Sequence, residues 1–429
     1  MPDIFHSLRL GVKYKFVSLL LLILIAPTQA AEFISPGERR EDFDAFCRFV
    51  SEEYAYFSIK ATDWGRTCDH YRVEAQNAAD RDAYVGVLEQ ALGQLYDSHA
   101  HLGTNTNKSP RLIPTQADVM AAWKDGKAVV TDIRSGSAAE RSGLRVGDEV
   151  LAINDTPIAA AVARAEPVFV RKQDGAARDW ALRVALAGRH DMTTIRLDLR
   201  SAAGQRSVSY APTFPRPNDL LASSVQNGIG YIRVHNSLGE QELVRAFDTA
   251  LDRMLDAKAL VLDLRDTPSG GVSSVARGII GRLIDRELPY QRHELVEEFQ
   301  STGIRRIWTE YVAPRPVRFQ GPVVVLVGPW TGSMGEGLAI GLNATRGAPV
   351  LGRPMAHLLG ALGESRLPKS QIVVRVPVEK LFHVDGRPRE AFMPCPAGDK
   401  ELEAARELAE KLAQKKTDPS LQPAAGGCG

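Results

Sequence analysis

Hydrophobic positions along this chain keep one spacing up to about residue 100 and then change it. Phe43, Phe46 and Val50 recur at helical intervals, as do Tyr84, Leu88, Leu92 and Leu95, with no alternating pattern between the two runs. That periodicity predicts a helical unit over residues 40–108. Residues 104–114 are rich in Asn, Thr, Ser and Pro and read as a linker. Beyond it KAVVTDI (127–133) alternates as a strand, residues 138–143 suit a short helix, and VGDEVLAIN returns to strand, so a β-rich module is expected over 112–212. After the Pro-containing link TFPRPND, the apolar runs GIGYIRV, KALVLDLR, PVVVLVG and IVVRVPV are separated by helical stretches at 239–256, 272–286 and 333–345. Such alternation predicts a mainly parallel sheet with crossover helices over 213–395, hence a mixed α/β chain whose ligands bind beyond the carboxyl ends of the strands. A charged amphipathic helix at 399–416 and a tail without core pattern complete residues 396–429.

The first thirty residues fit none of these units. Arg9, Lys13 and Lys15 precede the run Phe16–Ala26, and Thr28, Ala30 and Ala31 follow, which is the charged, apolar, small-residue order of a secretory leader over 1–30. The run is well short of the ~20 residues a membrane-crossing helix needs, so no stable span is expected after cleavage and the location is periplasmic or secreted. Lys plus Arg number 53 against 52 Asp plus Glu, which leaves no basic footprint for nucleic acid. Export permits disulfides among Cys47, Cys68, Cys395 and Cys428. Cys47 with Cys68 is the plausible bridge, the alternative being two buried thiols. No CxxC pair or ligand cluster supports a metal, and no cofactor is expected.

Two turns carry candidate chemistry. Ser333 follows PVVVLVG and opens SMGEGLAIGLNA, where the first N–H groups and the dipole of a helix favour a developing anion. Its structural alternative is a capping box with Glu336. TGSMG also approaches the Gly-x-Ser-x-Gly elbow of α/β-hydrolases, but Thr331 stands in place of the first glycine. In DLRDTPSGGV (263–272), Gly270 and Gly271 leave main-chain donors accessible at a strand end, or simply satisfy a turn needing positive φ.

GSAAERSGLRVGDEVLAINDTPI (136–158) resembles a PDZ domain, a module that binds peptides as an added strand. Taken in order, the PDZ-like segment, GYIRV, LVLDLRDTPSGG, PVVVLVGPWTGSMGE and GRPREAFMP resemble the tail-specific (carboxy-terminal processing) and tricorn-core serine peptidases. The resemblance implies a ClpP/crotonase-like core, with Ser333 as nucleophile and Gly270 or Gly271 beside the Met334 N–H as oxyanion donors. Gly335 stands where the family has a second serine, and Leu358 where processing proteases carry their lysine. Lys369 is the next lysine, and His357 a histidine close to the missing one; both are alternative bases. Tricorn-type members draw a Ser-His pair from the helical unit, which falls on Ser98 and His99, and a glutamate near the end of the core, which falls on Glu390. The implied relay runs Glu390, Ser98, His99, Ser333, acting on peptides or unfolded polypeptide through an acyl-enzyme. The alternatives are an inactive member that carries a ligand or peptide, as the similar interphotoreceptor retinoid-binding proteins do, and a PDZ scaffold.

Overall fold

The computed structural model describes residues 33–212 and 219–417; the expected leader and the tail from 418 lie outside them. Helices α1 (Pro36–Glu53), α2 (Trp64–Gln76) and α3 (Arg81–Gly93) form the first unit. Each begins on a side chain that takes one of its free N–H groups: Ser35 accepts from Glu38, Asp63 from Arg66 and Asp80 from Ala83. The face expected from periodicity is the buried one, with Phe43, Phe46, Val50, Tyr84 and Leu88 fully enclosed. Cys47 and Cys68 are bridged, tying α1 to α2 across a separation of 21 residues; a loop of that size gives roughly 3 kcal/mol by the chain-entropy account. Strand β1 (His101–Leu102) leaves this unit toward the core.

The middle module contains β2 (Val119–Lys124), β3 (Lys127–Ile133), α4 (Ala138–Arg141), β4 (Glu149–Ile153), β5 (Thr156–Pro157), α5 (Ile158–Ala163), α6 (Gly175–Ala187), β6 (Ile195–Ser201) and β7 (Gly204–Tyr210). Its antiparallel sheet runs β2-β3-β4-β6-β7 around Val130, Val150, Leu182, Leu186 and Leu197. The KAVVTDI strand is β3, and its alternate residues are buried as the pattern required.

The remaining chain supplies β8 (Leu221–Gln226), β9 (Ile229–Val234), α7 (Glu242–Asp252), β10 (Ala259–Asp263), α8 (Ser273–Gly281), β11 (Leu288–Leu295), α9 (Val296–Thr302), β12 (Arg306–Val312), β13 (Val323–Val327), α10 (Met334–Arg346), β14 (Val350–Gly352), β15 (Ala361–Arg366), β16 (Val373–Phe382) and α11 (Glu401–Thr417). Strands β14-β13-β10-β9 are parallel neighbours, with β8 antiparallel at the edge. Every residue of β10 and β13 is buried, because α7, α8 and α10 pack on one face and α11 on the other. Their carboxyl ends therefore deliver two turns to one place.

One expected member of that sheet belongs elsewhere. The run IVVRVPV forms β16 in a separate antiparallel sheet, β1-β16-β11-β12 with β15 on its flank. Val374 and Val376 are buried while Val373 and Arg375 are half-exposed, the period-two signature of a sheet covered on one side. The covered side packs on the helical unit, whose core includes Ile372, Val374 and Val376. The first unit is thus anchored to the last third of the chain.

Candidate active site

The turn after β13 holds Ser333 in an unusual backbone state, φ 50° and ψ −114°, at the N-terminus of α10. A side chain with φ above zero costs on the order of 1–3 kcal/mol and persists only where its surroundings over-determine it. They do so here. Thr331 Oγ1 donates to Leu264 O at 2.9 Å and accepts Gly328 N–H at 3.0 Å, and Thr267 N–H donates to Trp330 O at 3.0 Å. The Ser333 N–H donates to Glu336 Oε1 at 3.0 Å, which ties down the turn from inside the helix. A Cβ on Gly332 would lie 2.7 Å from Pro268 O, and one on Gly335 2.4 Å from Thr267 Oγ1. Position 335 is glycine because Thr267 fills the volume a serine there would need.

The turn after β10 meets it face to face. Gly270 has φ 63°, and a Cβ there would fall 2.4 Å from Ser333 Cβ and 2.9 Å from Met334 N. Its own N–H donates to Thr267 O at 3.1 Å and is engaged in the turn. A Cβ on Gly271 would strike the Leu238 carbonyl at 2.1 Å. Among the described residues, the N–H groups of Gly271 and Met334 have no protein acceptor. Two main-chain donors thus lie beside Ser333, with Gly270 as the spacer that lets the turns close.

His99 reaches this region from the helical unit. It is buried, and its Nδ1 lies 2.5 Å from the Leu359 carbonyl. A carbonyl only accepts, so Nδ1 carries the hydrogen and Nε2 keeps its lone pair, the tautomer a general base needs. Burial pushes the imidazole down to about 4 against the partial support of Leu359 O, so the ring is neutral at ordinary pH. Asp97, also buried, accepts from His99 N–H at 2.9 Å and from Tyr54 hydroxyl at 2.8 Å, fixing the turn that presents the ring.

Arg389 joins the two sides. Its buried guanidinium donates to the carbonyls of Leu358 and Gly360, the latter at 3.1 Å, and lies 3.5 Å from Ser333 O. Leu358 N–H donates to Glu336 Oε1 at 2.9 Å, and Ala356 N–H to Thr331 O. The segment 356–360 therefore runs along the Ser333 turn while its Leu359 carbonyl holds His99. Among the described residues no hydrogen bond joins the Ser333 hydroxyl to His99; catalytic contacts commonly tighten only once substrate is bound. Buried Glu336 is pushed up to about 7, mainly by desolvation, with Arg389 pulling the other way.

The other expected residues divide. Leu358, in the lysine position, covers Gly332 with its side chain. His357 is half-buried with φ 53°, faces the Glu390 main-chain carbonyl, and is held below the ordinary histidine range by burial. Ser98 and the Glu390 carboxylate make no hydrogen bond or ion pair among the described residues, and the contact that orients His99 is main chain instead. Lys369 is not brought here: its Nζ pairs with Glu41 at 3.2 Å, at the end of β15 remote from Gly360. Six residues of strand separate the two, about 20 Å at ~3.3 Å each. Sequence reasoning passed over Arg389, although it adjoins Glu390, and took Glu336 only for a cap.

The PDZ-like module is docked on both turns. Arg134 pairs with Asp266 at 2.7 Å, Trp330 Nε1 donates to Ala117 O at 2.8 Å, Thr115 Oγ1 to Pro268 O at 3.3 Å, and Arg353 pairs with Asp132.

Comparison with known proteins bears out the resemblance read from the motifs. The family model for peptidase family S41 matches residues 228–392, that for the tricorn protease C1 domain residues 35–93, and that for the PDZ domain residues 102–172. The putative tricorn protease homolog 2 of Streptomyces coelicolor is 21% identical over 365 residues, covering 79% of this chain and 28% of that protein. The carboxy-terminal processing protease CtpA of Bacillus subtilis is 23% identical over 233 residues, covering 53% of this chain and 44% of the relative. The chain thus spans under half the length of the curated relatives it matches. Mature CPAF shares the fold with a TM-score of 0.59 at 16% identity, over 89% of this chain and 97% of that one. The photosystem II D1 C-terminal processing protease does so with a TM-score of 0.56 at 16% identity, over 87% and 97%.

Proposed function

We propose, from a core that matches peptidase family S41 and is preceded by tricorn C1 and PDZ segments in family order, that this chain is a serine endopeptidase acting on peptides or unfolded polypeptide. The observation that carries this reading is the strained Ser333, packed against Gly270 at the start of α10 with two unengaged main-chain donors beside it. In the proposed reaction the Ser333 hydroxyl adds to the scissile carbonyl as His99 Nε2 takes its proton. Charge on the carbonyl oxygen is met by the N–H groups of Met334 and Gly271, and His99 returns the proton to the departing amine. Water then releases the acyl group from Ser333 with His99 again as base. His99 is fixed by Leu359 O and Asp97, Glu336 and Arg389 hold the frame, and Ser98 and Glu390 are free to turn toward substrate. The leader-like residues 1–30 suggest that this happens outside the cytoplasm.

A serine-reactive fluorophosphonate tests the reading directly. Labelling is expected on Ser333, identified by mass spectrometry, and lost in Ser333→Ala and His99→Ala. A label that survives His99→Ala moves the base to His357. No label on folded protein favours the carrier or scaffold.

A further inference from the structure

A cavity of about 560 Å³ lies where the helical unit, the PDZ-like module and the core meet, bordered by Ser98 and His357 and so adjoining the candidate site. Two cations line it. Lys60 Nζ donates to Tyr96 O at 3.1 Å and sits 4.4 Å above the Tyr96 ring. Arg183, on α6, is half-buried and makes no hydrogen bond or ion pair among the described residues. The carboxylate that acts on it, Asp179, accepts the Trp123 N–H at 3.0 Å instead. Burial accordingly holds both Arg183 and Lys60 below their ordinary ranges, and the Arg183 charge adds to the lowering at Lys60 and at His357.

The carboxylates in the cavity wall are already occupied. Asp97 holds Tyr54 and the His99 N–H; Asp174 accepts from Tyr96 hydroxyl at 2.7 Å and caps α6 at Ala176 N; Asp132 is paired with Arg353. A half-buried guanidinium that faces a cavity with its fork of donors unused is matched by a planar, bidentate acceptor. We infer that Arg183, supported by Lys60, holds a carboxylate of the bound polypeptide in this cavity next to the candidate site, making acid-bearing segments the favoured substrates. The inference rests on the peptidase reading of the same site. The carboxylate belongs either to an Asp or Glu side chain or to a free chain end, and the test separates the two.

Two measurements decide it. A synthetic peptide pool is cleaved by wild type, Arg183→Gln, Arg183→Lys and Arg183→Glu, and the best peptide is remade with Gln for Glu and with an amidated end. Wild type is expected to favour one carboxylate form about tenfold in kcat/KM. That ratio should fall to near one in Arg183→Gln, return in part in Arg183→Lys and invert in Arg183→Glu. Loss on Gln replacement assigns the carboxylate to a side chain; loss on amidation assigns it to the chain end. Independently of turnover, fluorescence anisotropy compares hexaglutamate and hexaglutamine peptides, free and amidated, on Ser333→Ala with and without Arg183→Gln. Ser333 labelling with equal ratios in wild type and Arg183→Gln overturns this inference and leaves the peptidase reading standing. With no labelling and no cleavage the peptidase reading fails, and equal anisotropy for all four peptides then overturns this one as well.

Discussion

The two sides of the candidate site are built in different ways. Ser333 is held chiefly by core elements, two strand ends and four glycines at which a Cβ would clash, with the PDZ-like module packed against the same turns. His99 is held by parts that lie far apart in sequence, a helical unit, the 356–360 segment and Arg389. The first side depends on the absence of side-chain volume, the second on the presence of one buried cation. Strain is therefore tolerated where the backbone is cross-stitched.

That contrast can be broken from either side. Gly270→Ala should do the most damage to catalysis, since its methyl would displace Ser333; a displacement of that order costs roughly 10²-fold in kcat/KM. Steady-state kinetics checks this, and a near-normal rate would mean the turns do not meet as described. Arg389→Ala should act on the opposite side, through stability: the buried carbonyls of Leu358 and Gly360 lose their guanidinium donor, at about 1–3 kcal/mol for each group left unsatisfied, whereas Ser333 O keeps the Gly337 N–H. Urea unfolding measures the loss, with activity per folded molecule falling as His99 loosens.

Acid titration sharpens the comparison further. With the His99 ring held at about 4 in the folded chain, below its ordinary 6.5, the unfolded chain takes up a proton that the folded one refuses between these values. Its contribution to stability is thus lost as pH falls through that window, and the acid limb of kcat/KM should lie near 4 rather than 6.5. Glu336, raised to about 7 from 4.5, has the opposite sign, and its contribution is lost as pH rises toward and through 7. Unfolding midpoints of wild type, His99→Ala and Glu336→Gln across pH 4 to 8 separate the two. The smallest effect belongs to Lys369→Ala, which removes a solvent-exposed pair with Glu41 and should leave both the unfolding midpoint and turnover nearly unaltered.

The nucleophile side was largely legible in the sequence. A buried strand, a small-residue turn and a helix start are local patterns that singled out Ser333 and the glycine pair as candidates, with Met334 added by the resemblance. The His99 side was legible only by resemblance, which named His99 with Ser98 and Glu390; the contacts seen at the ring and its neighbouring segment run through Leu359 O and Arg389. A main-chain carbonyl has no sequence signature, and a buried arginine looks in sequence like any surface charge. The same limit misplaced IVVRVPV, since a short, mostly apolar run looks alike in a doubly covered parallel strand and in a one-sided antiparallel one. Arg183 carried no periodic signal, and α6 around it was not anticipated.

The contact between His99 and Leu359 spans 260 residues. A ribosome adding roughly 5–20 residues per second needs on the order of 13–50 s to make that stretch. Throughout that interval the imidazole has no partner to fix its tautomer, and β1 has no β16 to pair with. Whatever cutting power the chain has therefore cannot be assembled before the residues around Leu359 have been made.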